Sequence, residues 1–480
     1  MSALSNIEPK EVFNFFEQLC NIPHGSGNLE KISGYLVSFA KERNLEVIQD
    51  EELNVIIKAP GSAGYEDKEP VILQGHMDMV AVKNDDCDID MTKDGLRVTT
   101  DGEYVWAEGT SLGGDDGIAV AYCLALLDSK DIPHPPLEVV ITTNEETGMY
   151  GAAAIDLSGL KSKKLINIDN EEEGVFITSC AGGARFYSDF DLGEAKEKDG
   201  TLFEVKVDGL LGGHSGEMII KGRGNANIIL GRTIAEAMDN INVHVVSLAG
   251  GVADNAIPSN AVAKVVVDNA DAEAFSKSVA DTFEAVKGEL EIKDPEVSIT
   301  AVNCGTGSYN CYSVADSCRV INTIITCPDG VQAMSSSVEG LVETSLNLGV
   351  LSTNGNVVTV TWSVRSSVES SKMMLIRKLS VINKTYGGKF TVTGQYPGWK
   401  FRQHSSLRDH MVKVYKDMYG VEPKIEAIHA GLECGLLSEK IEDLDCISIG
   451  PDMKDIHSTK EKLSVKSTKN VWEYLKAVLA

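Results

Sequence analysis

The sequence predicts an α/β domain interrupted by an inserted α+β domain of ferredoxin-like order. Two patterns carry this prediction. Short, nearly continuous Val/Ile/Leu runs alternate with helical stretches in the first third of the chain and again at its end, as in a sheet covered by helices on both faces. Between them the order changes to β-α-β-β-α-β. A length of 480 residues agrees, because a single core seldom keeps growing to that size.

Taken in order, helical periodicity covers Pro9 to Cys20 and Leu29 to Arg43, and strands follow at Asn54–Lys58 and Val71–Gln74. A glycine-rich turn opens an apolar helix from Asp115 to Leu127, and strands cover Leu137–Thr143 and Leu165–Ile168. The middle starts with a strand at Thr201–Val207 and a helix at Asn225–Met238. Strands at Val243–Leu248 and Ala261–Asp268, a helix at Ala270–Leu290 and a strand at Glu296–Val302 complete one ferredoxin-like round. A second, looser round has a helix at Asp316–Thr326, strands at Val342–Val350 and Val357–Arg365, a helix at Ser370–Lys384 and a strand at Lys389–Thr393. The first style returns with a helix at Ser406–Tyr419, strands at Ile425–Ile428 and Cys446–Ile449, and a helix at Lys469–Leu479. The reading is a discontinuous domain over residues 1–182 and 396–480, with an insertion over 183–395 that has room for two ferredoxin-like units.

Composition narrows the function. A hydrophobic fraction of 43% and a charged fraction of 24% are ordinary for a globular protein. The formal charge of −27 disfavours nucleic acid and anionic membrane as partners, since phosphate binding needs a basic footprint. No apolar run reaches the length of a membrane span, and Met1 to Lys10 lacks the basic and apolar regions of a secretory signal. The ten cysteines contain no C-x-x-C pair and read as reduced thiols of a cytoplasmic protein.

The chemistry gathers at strand ends. Val71-Ile-Leu-Gln-Gly-His76-Met-Asp78 ends a strand in His-x-Asp, and Leu137 to Thr143 runs into the pair Glu145-Glu146. Leu165-Ile-Asn-Ile-Asp169 ends a third strand, and Cys446-Ile-Ser-Ile-Gly-Pro precedes His457. Ligands of open α/β sheets bind beyond the carboxyl ends of the strands, so convergence at four ends carries weight that one would not. His76 alone is as easily structural. Asp78 is placed to fix its tautomer, directly or through a neighbour. Asp115, in Ser111-Leu-Gly-Gly-Asp-Asp-Gly117, is most simply a helix N-cap when taken alone. Two adjacent acids there disfavour a phosphate loop. The side chains of Glu145 and Glu146 must diverge, so one can bind a cation while the other serves as a base, and an exposed acidic turn is the plainer alternative.

Together with Gly212-Gly-His-Ser-Gly216, Gly222-Arg-Gly-Asn-Ala-Asn227 and His429-Ala-Gly-Leu-Glu-Cys-Gly435, these segments resemble a large metallopeptidase family. That family includes carboxypeptidase G, carnosinase-like dipeptidases and N-acylamino-acid deacylases, and the likeness is strongest to its aminoacyl-histidine dipeptidase group. The resemblance implies a di-zinc exopeptidase-type domain with a ferredoxin-like lid, and hydrolysis of dipeptides, Xaa-His among them, by a metal-bridging hydroxide. It implies Asp115 as a bridge between two ions, His76 and Asp169 on one, Glu146 and His457 on the other. Glu145 is then the general base and Asp78 the residue that orients His76. His214 is expected to stabilise the oxyanion, and Asn255 and Arg365 to hold the substrate's carboxylate end. Glu433 and Gly435 are further substrate-binding candidates, though a glycine-rich turn at a helix start has the same look; His24 and His429 read as structural. Zinc is the first choice for this mixed N/O donor set, and cobalt or manganese fits the same ligands. The expected partner is a small peptide, and a homodimer is compatible with the reading. An N-acyl-amino-acid deacylase shares the metal site and is the nearest alternative. A binding protein without turnover is the distant one, for which an extra base beside the ligands has no use.

Overall fold

The computed structural model describes residues 3–480. Two compact units make up the chain: the first holds the chain through Ser179 together with Phe401–Ala427 and Leu432–Ala480, the second Cys180–Lys400 and Ile428–Gly431. The boundaries expected near residues 182 and 396 shift by a few residues, and the excursion of Ile428–Gly431 into the second unit carries no local signal in the sequence.

In the first unit an eight-stranded sheet runs in the order Glu46–Gln49, Val55–Ala59, Leu137–Thr142, Val71–His76, Lys164–Asn167, Asp445–Ser448, Val175–Cys180, Lys424–Ile428. Leu137–Thr142, Val71–His76, Lys164–Asn167 and Asp445–Ser448 are mutually parallel, so their carboxyl ends share one edge. Every residue of Leu137–Thr142 is buried, as its apolar run requires of a strand covered on both faces. The helix Gly114–Asp128 is apolar all round and almost wholly buried. Its Tyr122 ring stacks on Trp472 at 6.0 Å, and the Tyr122 hydroxyl donates to the Thr468 carbonyl at 2.8 Å. That contact satisfies the one polar atom the ring takes into the core. Cys20, Cys123, Cys434 and Cys446 are buried thiols. A smaller sheet orders Met453–Lys454, Lys462–Ser464, Tyr104–Ala107 and Val98–Thr100.

The second unit is built on one continuous sheet. Its main path is Ser298–Cys311, Lys196–Asp208, Ala261–Val267, His244–Gly250, Val342–Asn354, Val357–Ser366, Gly182–Asp191, Lys389–Tyr396. The first four strands and the last four each show the fourth-first-third-second order of a ferredoxin-like unit. The two sets join where Gly250 pairs with Leu351. The opening strand of the second set, Gly182–Asp191, precedes the whole first set in the chain, so the second round looked incomplete in the sequence. Phe186, Trp362 and Phe390 pack together in its core, the ring pairs lying 6.0 and 5.2 Å apart.

Asp329 ties the joint of this sheet, accepting from the Leu348 N–H at 2.8 Å and from Asn225 Nδ2 at 3.3 Å. Burial pushes its carboxyl up to about 6. An acid whose pKa is raised on folding stabilises the fold most below its unfolded value near 4, and that stabilisation is lost as pH rises through 6. Asp329→Asn keeps an acceptor for Leu348 and removes the titration. We expect the variant to gain about 1–2 kcal/mol over the parent between pH 4.5 and pH 7. Paired thermal melts across that range check it; parallel curves for the two proteins would contradict it.

Candidate metal centre

The shared edge of the four parallel strands brings the chemistry together. His76 is the last residue of its strand, Asp169 lies two residues past Asn167, and Glu145 and Glu146 follow Thr142 by three and four. Asp115 sits in the first turn of the helix Gly114–Asp128 with φ −82° and ψ 105°. Among the described residues its carboxylate takes no main-chain N–H of the helix and contacts two imidazoles instead, so the cap reading of Asp115 gives way to another role. The Asp115 carboxylate lies between two imidazoles, Oδ1 at 3.1 Å from His76 Nε2 and Oδ2 at 3.0 Å from His457 Nε2. His76 Nε2 is also 3.7 Å from Asp169 Oδ1, and His457 Nε2 is 2.9 Å from Glu146 Oε1. Three overlapping sets of donors, His76/Asp116/Asp169, His76/Glu145/Glu146 and Asp115/Glu146/His457, each lie within 4.8 Å.

Asp78 approaches His76 with two of its oxygens. The contact to His76 Nδ1 comes from the Asp78 main-chain carbonyl at 3.0 Å, with carboxylate Oδ1 at 3.6 Å. The carboxylate instead accepts from Ser26 Oγ at 2.8 Å and from the Glu145 and Glu146 N–H groups at 3.0 and 3.4 Å. One residue therefore sets the His76 ring and the turn that presents both glutamates. Burial opposes ionisation of Asp78, and the contacts with His76, Ser26 and the Glu145 N–H outweigh it, holding its carboxyl below the usual range.

The other groups respond to the same crowding. Burial would lower the His76 pKa, but Asp115, Asp169 and Asp78 together lift it well above the ordinary value. Contacts with Asp115 and Glu146 raise His457 to about 10. Burial, with repulsion from Asp115 and Glu146, pushes Asp169 up to about 6. Glu145 is raised well above its usual range, first by burial and then by Asp169, Glu433 and Glu146. Among the described residues, the two imidazoles are the only side-chain cations beside Asp115, Asp169 and Glu146. A buried cluster of carboxylates with so little positive charge from the protein suits divalent cations, and two imidazoles with carboxylate oxygens are a fitting donor set for them.

Three features of this region escaped the sequence reading. Asp116, fully buried, accepts from the His76 N–H at 3.1 Å through Oδ2. A Cβ on Gly75 would meet that oxygen at 2.4 Å, which explains the glycine before His76. Asp115 and Asp116 both have non-helical φ/ψ in a kink at the helix start, so no helical periodicity reports which of them faces the imidazoles. Glu433, expected at the substrate, is completely buried: its Oε2 accepts from Gln74 Nε2 and Thr142 Oγ1, each at 2.6 Å. Gln74 Oε1 in turn accepts from Asn167 Nδ2 at 2.6 Å, so this network ties the strands leading to His76, Glu145 and Asp169. Gly435 lies buried in the first turn of the helix Glu433–Lys440. The third feature is Glu461, whose carboxylate meets the loop before Asp115.

Within the second unit, His214 and Asn255 are neighbours. Gly213–His214 pairs antiparallel with Ala256–Ile257, and the Ser215 N–H donates to the Asn255 carbonyl at 2.7 Å. Asn347 Nδ2 holds that turn through the Asp254 and Ala256 carbonyls at 3.0 and 2.9 Å. His214 Nδ1 accepts from the Glu217 N–H at 3.3 Å, which leaves the ring proton on Nε2. Arg365 is buried, its Nη1 3.3 Å from the Tyr396 hydroxyl and its Nε without a partner among the described residues. Burial and the Arg365 charge lower His214, and they take His429, 2.7 Å from Ser345 Oγ, down to about 3. His24 is buried in the first unit with Nδ1 2.5 Å from the Ile22 carbonyl, a structural contact.

Comparison with known proteins places the chain. It is 37% identical over 481 residues to the cytosol non-specific dipeptidase of Escherichia coli, covering all of this chain and 99% of that one. The crystal structure of aminoacylhistidine dipeptidase from Vibrio alginolyticus matches at TM-score 0.93 and 38% identity, over 99% of this chain and 97% of that one. Aminopeptidase PepT from Bacillus cereus shares the fold at TM-score 0.57 and 15% identity, over 98% of each chain. The profile of Peptidase family M20/M25/M40 matches residues 72–480. With its donors at the ends of the parallel strands and full-length similarity to these relatives, the chain belongs to peptidase family M20/M25/M40.

Proposed function

We propose that the protein hydrolyses dipeptides, Xaa-His dipeptides included, in a metal-dependent reaction at the centre built from His76, Asp115, Glu145, Glu146, Asp169 and His457. The observation that carries this is Glu145: a raised, half-buried carboxyl beside a complete set of ligand-type side chains, where a binding protein needs none. In this reading Asp115 would serve both ions, His76 and Asp169 would hold one with it, and Glu146 and His457 would hold the other. When bound, two divalent cations polarise the scissile carbonyl and lower the pKa of water. Glu145 takes a proton from the attacking water and returns it to the leaving amine nitrogen, a role that suits a carboxyl tuned toward neutral pH.

The second unit supplies the rest of the proposal, a lid role included. The Nε2–H of His214 is a donor for the developing oxyanion. Arg365, whose guanidinium meets the Tyr396 hydroxyl and pairs with no carboxylate among the described residues, with Asn255 holds the peptide carboxylate, since planar forks suit carboxylates. Zinc is the ion we assign, with cobalt and manganese as substitutes. No helix among the described residues is long and apolar enough to cross a membrane. The Escherichia coli relative is named for the cytosol, and we assign this chain to the same compartment.

The test is amine release by the zinc-loaded protein from β-Ala-His, Gly-His, Leu-Gly, a tripeptide and an N-acetyl amino acid, with a chelator-treated control. We expect cleavage of the dipeptides only, abolished by chelator. Turnover of the N-acetyl compound alone would replace the dipeptidase reading with a deacylase.

A further inference from the structure

The loop that presents Asp115 and the loop that presents His457 are joined by a residue with no place in the proposed chemistry. Met453–Lys454 and Lys462–Ser464 form a hairpin, Met453 opposite Leu463 and Lys454 opposite Lys462. Its connecting loop carries His457 at φ 59° and Asp455 at φ 51°, a left-handed conformation that strains a residue with a side chain. Such a loop keeps its shape only where its surroundings over-determine it. Local bonds supply part of this: Ser458 Oγ donates to the Asp455 carbonyl at 2.6 Å, and the Lys460 N–H donates to Ser458 Oγ at 3.1 Å.

Glu461 supplies the rest. Only 4% exposed, it extends its carboxylate to three successive main-chain N–H groups. Oε2 accepts from Leu112 at 2.8 Å and Gly113 at 3.2 Å, and Oε1 from Gly114 at 2.7 Å. The next residue is Asp115. Gly113 has φ 70°, the left-handed region that glycine enters freely, and this aims consecutive amides at one anion. A Cβ on Gly114 would meet Glu461 Oε1 at 3.2 Å, so the loop closes tightly on the carboxylate. Asp115 and His457 thus touch each other through their side chains and are braced a second time through Glu461.

We propose that Glu461 is a positioning residue for the metal centre: it sets the separation of Asp115 and His457 and so the affinity for the ion that Asp115, Glu146 and His457 hold. The proposal rests on the two-ion reading above. A charged carboxylate accepting three amides is a strong, directional brace, and ligands held in place before binding lose less entropy when the ion arrives. The fit also makes the site sensitive to substitution. Gln presents an NH2 group to one of the amides, and Asp falls short by one methylene.

Zinc binding distinguishes this role from a loop anchor without bearing on the centre. Metal-free parent, Glu461→Gln and Glu461→Asp are titrated with zinc against a competing chelator, and bound zinc is measured by elemental analysis. Thermal melts of the metal-free forms are recorded alongside. We expect the parent to take two ions and each variant to bind at least one of them at least tenfold more weakly, the larger loss falling on the ion held with His457. Excess zinc should restore kcat in Glu461→Asp. Two ions at parental affinity in both variants, with only a lower melting temperature, would overturn the proposal and leave the two-ion reading intact. A parent that takes fewer than two ions would overturn both.

Discussion

Glu145→Gln is expected to retain its bound metal and lose turnover by about 10²–10⁴-fold, the range a positioned acid–base group contributes. Three features of the site point to this result. Among the described residues Glu145 pairs with neither imidazole, whereas Glu146 stands 2.9 Å from His457 Nε2, as the proposed division into base and ligand requires. Asp78 holds the Glu145 main chain through its N–H, and glutamine preserves that N–H and the side-chain volume. Burial and surrounding carboxylates raise the Glu145 pKa, which brings its proton affinity toward that of the groups it exchanges protons with. Measured kcat on a dipeptide, with elemental analysis of the same preparation, checks both halves. Near-parental kcat with full metal content would remove Glu145 from the reaction.

The second large effect is expected at Asp115. Asp115→Ala should lower bound metal from two ions per chain to one or none, and abolish measurable dipeptide cleavage. Its two oxygens face different imidazoles at 3.1 and 3.0 Å, so one truncation opens both halves of the centre. His457→Ala, which touches Asp115 and Glu146 but not Asp169, should cost only one ion. The contrast between the two variants carries the argument, because nonspecific damage would not sort them by ion count. Circular dichroism of the metal-free proteins guards against unfolding. Two ions retained in Asp115→Ala would exclude it as a shared ligand.

The local elements were legible because short-range forces write them. The run Leu137-Glu-Val-Val-Ile-Thr becomes a strand buried at every position, and the apolar stretch after Gly117 becomes a helix buried on all sides. Gly182–Asp191 was missed, although Ala184, Phe186, Ser188 and Phe190 alternate toward the core, because a glycine pair opens it and acidic residues interrupt it. Ser298–Cys311 outruns its apolar signal: Asn303 to Ser308 are held by the ladder to Lys196–Asp208, not by local propensity.

For the site the division follows sequence distance. By itself the sequence determined the kinds of donor and the strand ends that carry them, since a parallel sheet lines up its carboxyl edges. Which acid of Asp115-Asp116 faces the imidazoles depends on a non-helical kink at the helix start, and how Asp78 approaches His76, which the sequence left open, is set by its main-chain carbonyl at 3.0 Å with the carboxylate at 3.6 Å. The Glu461 brace reaches across 349 residues to Leu112, and Glu433 reaches Gln74 across 359. Such contacts exist only once two remote segments pack side by side. Periodicity and spacing report the forces along a segment, and only tertiary structure decides which segments share a hydrogen bond.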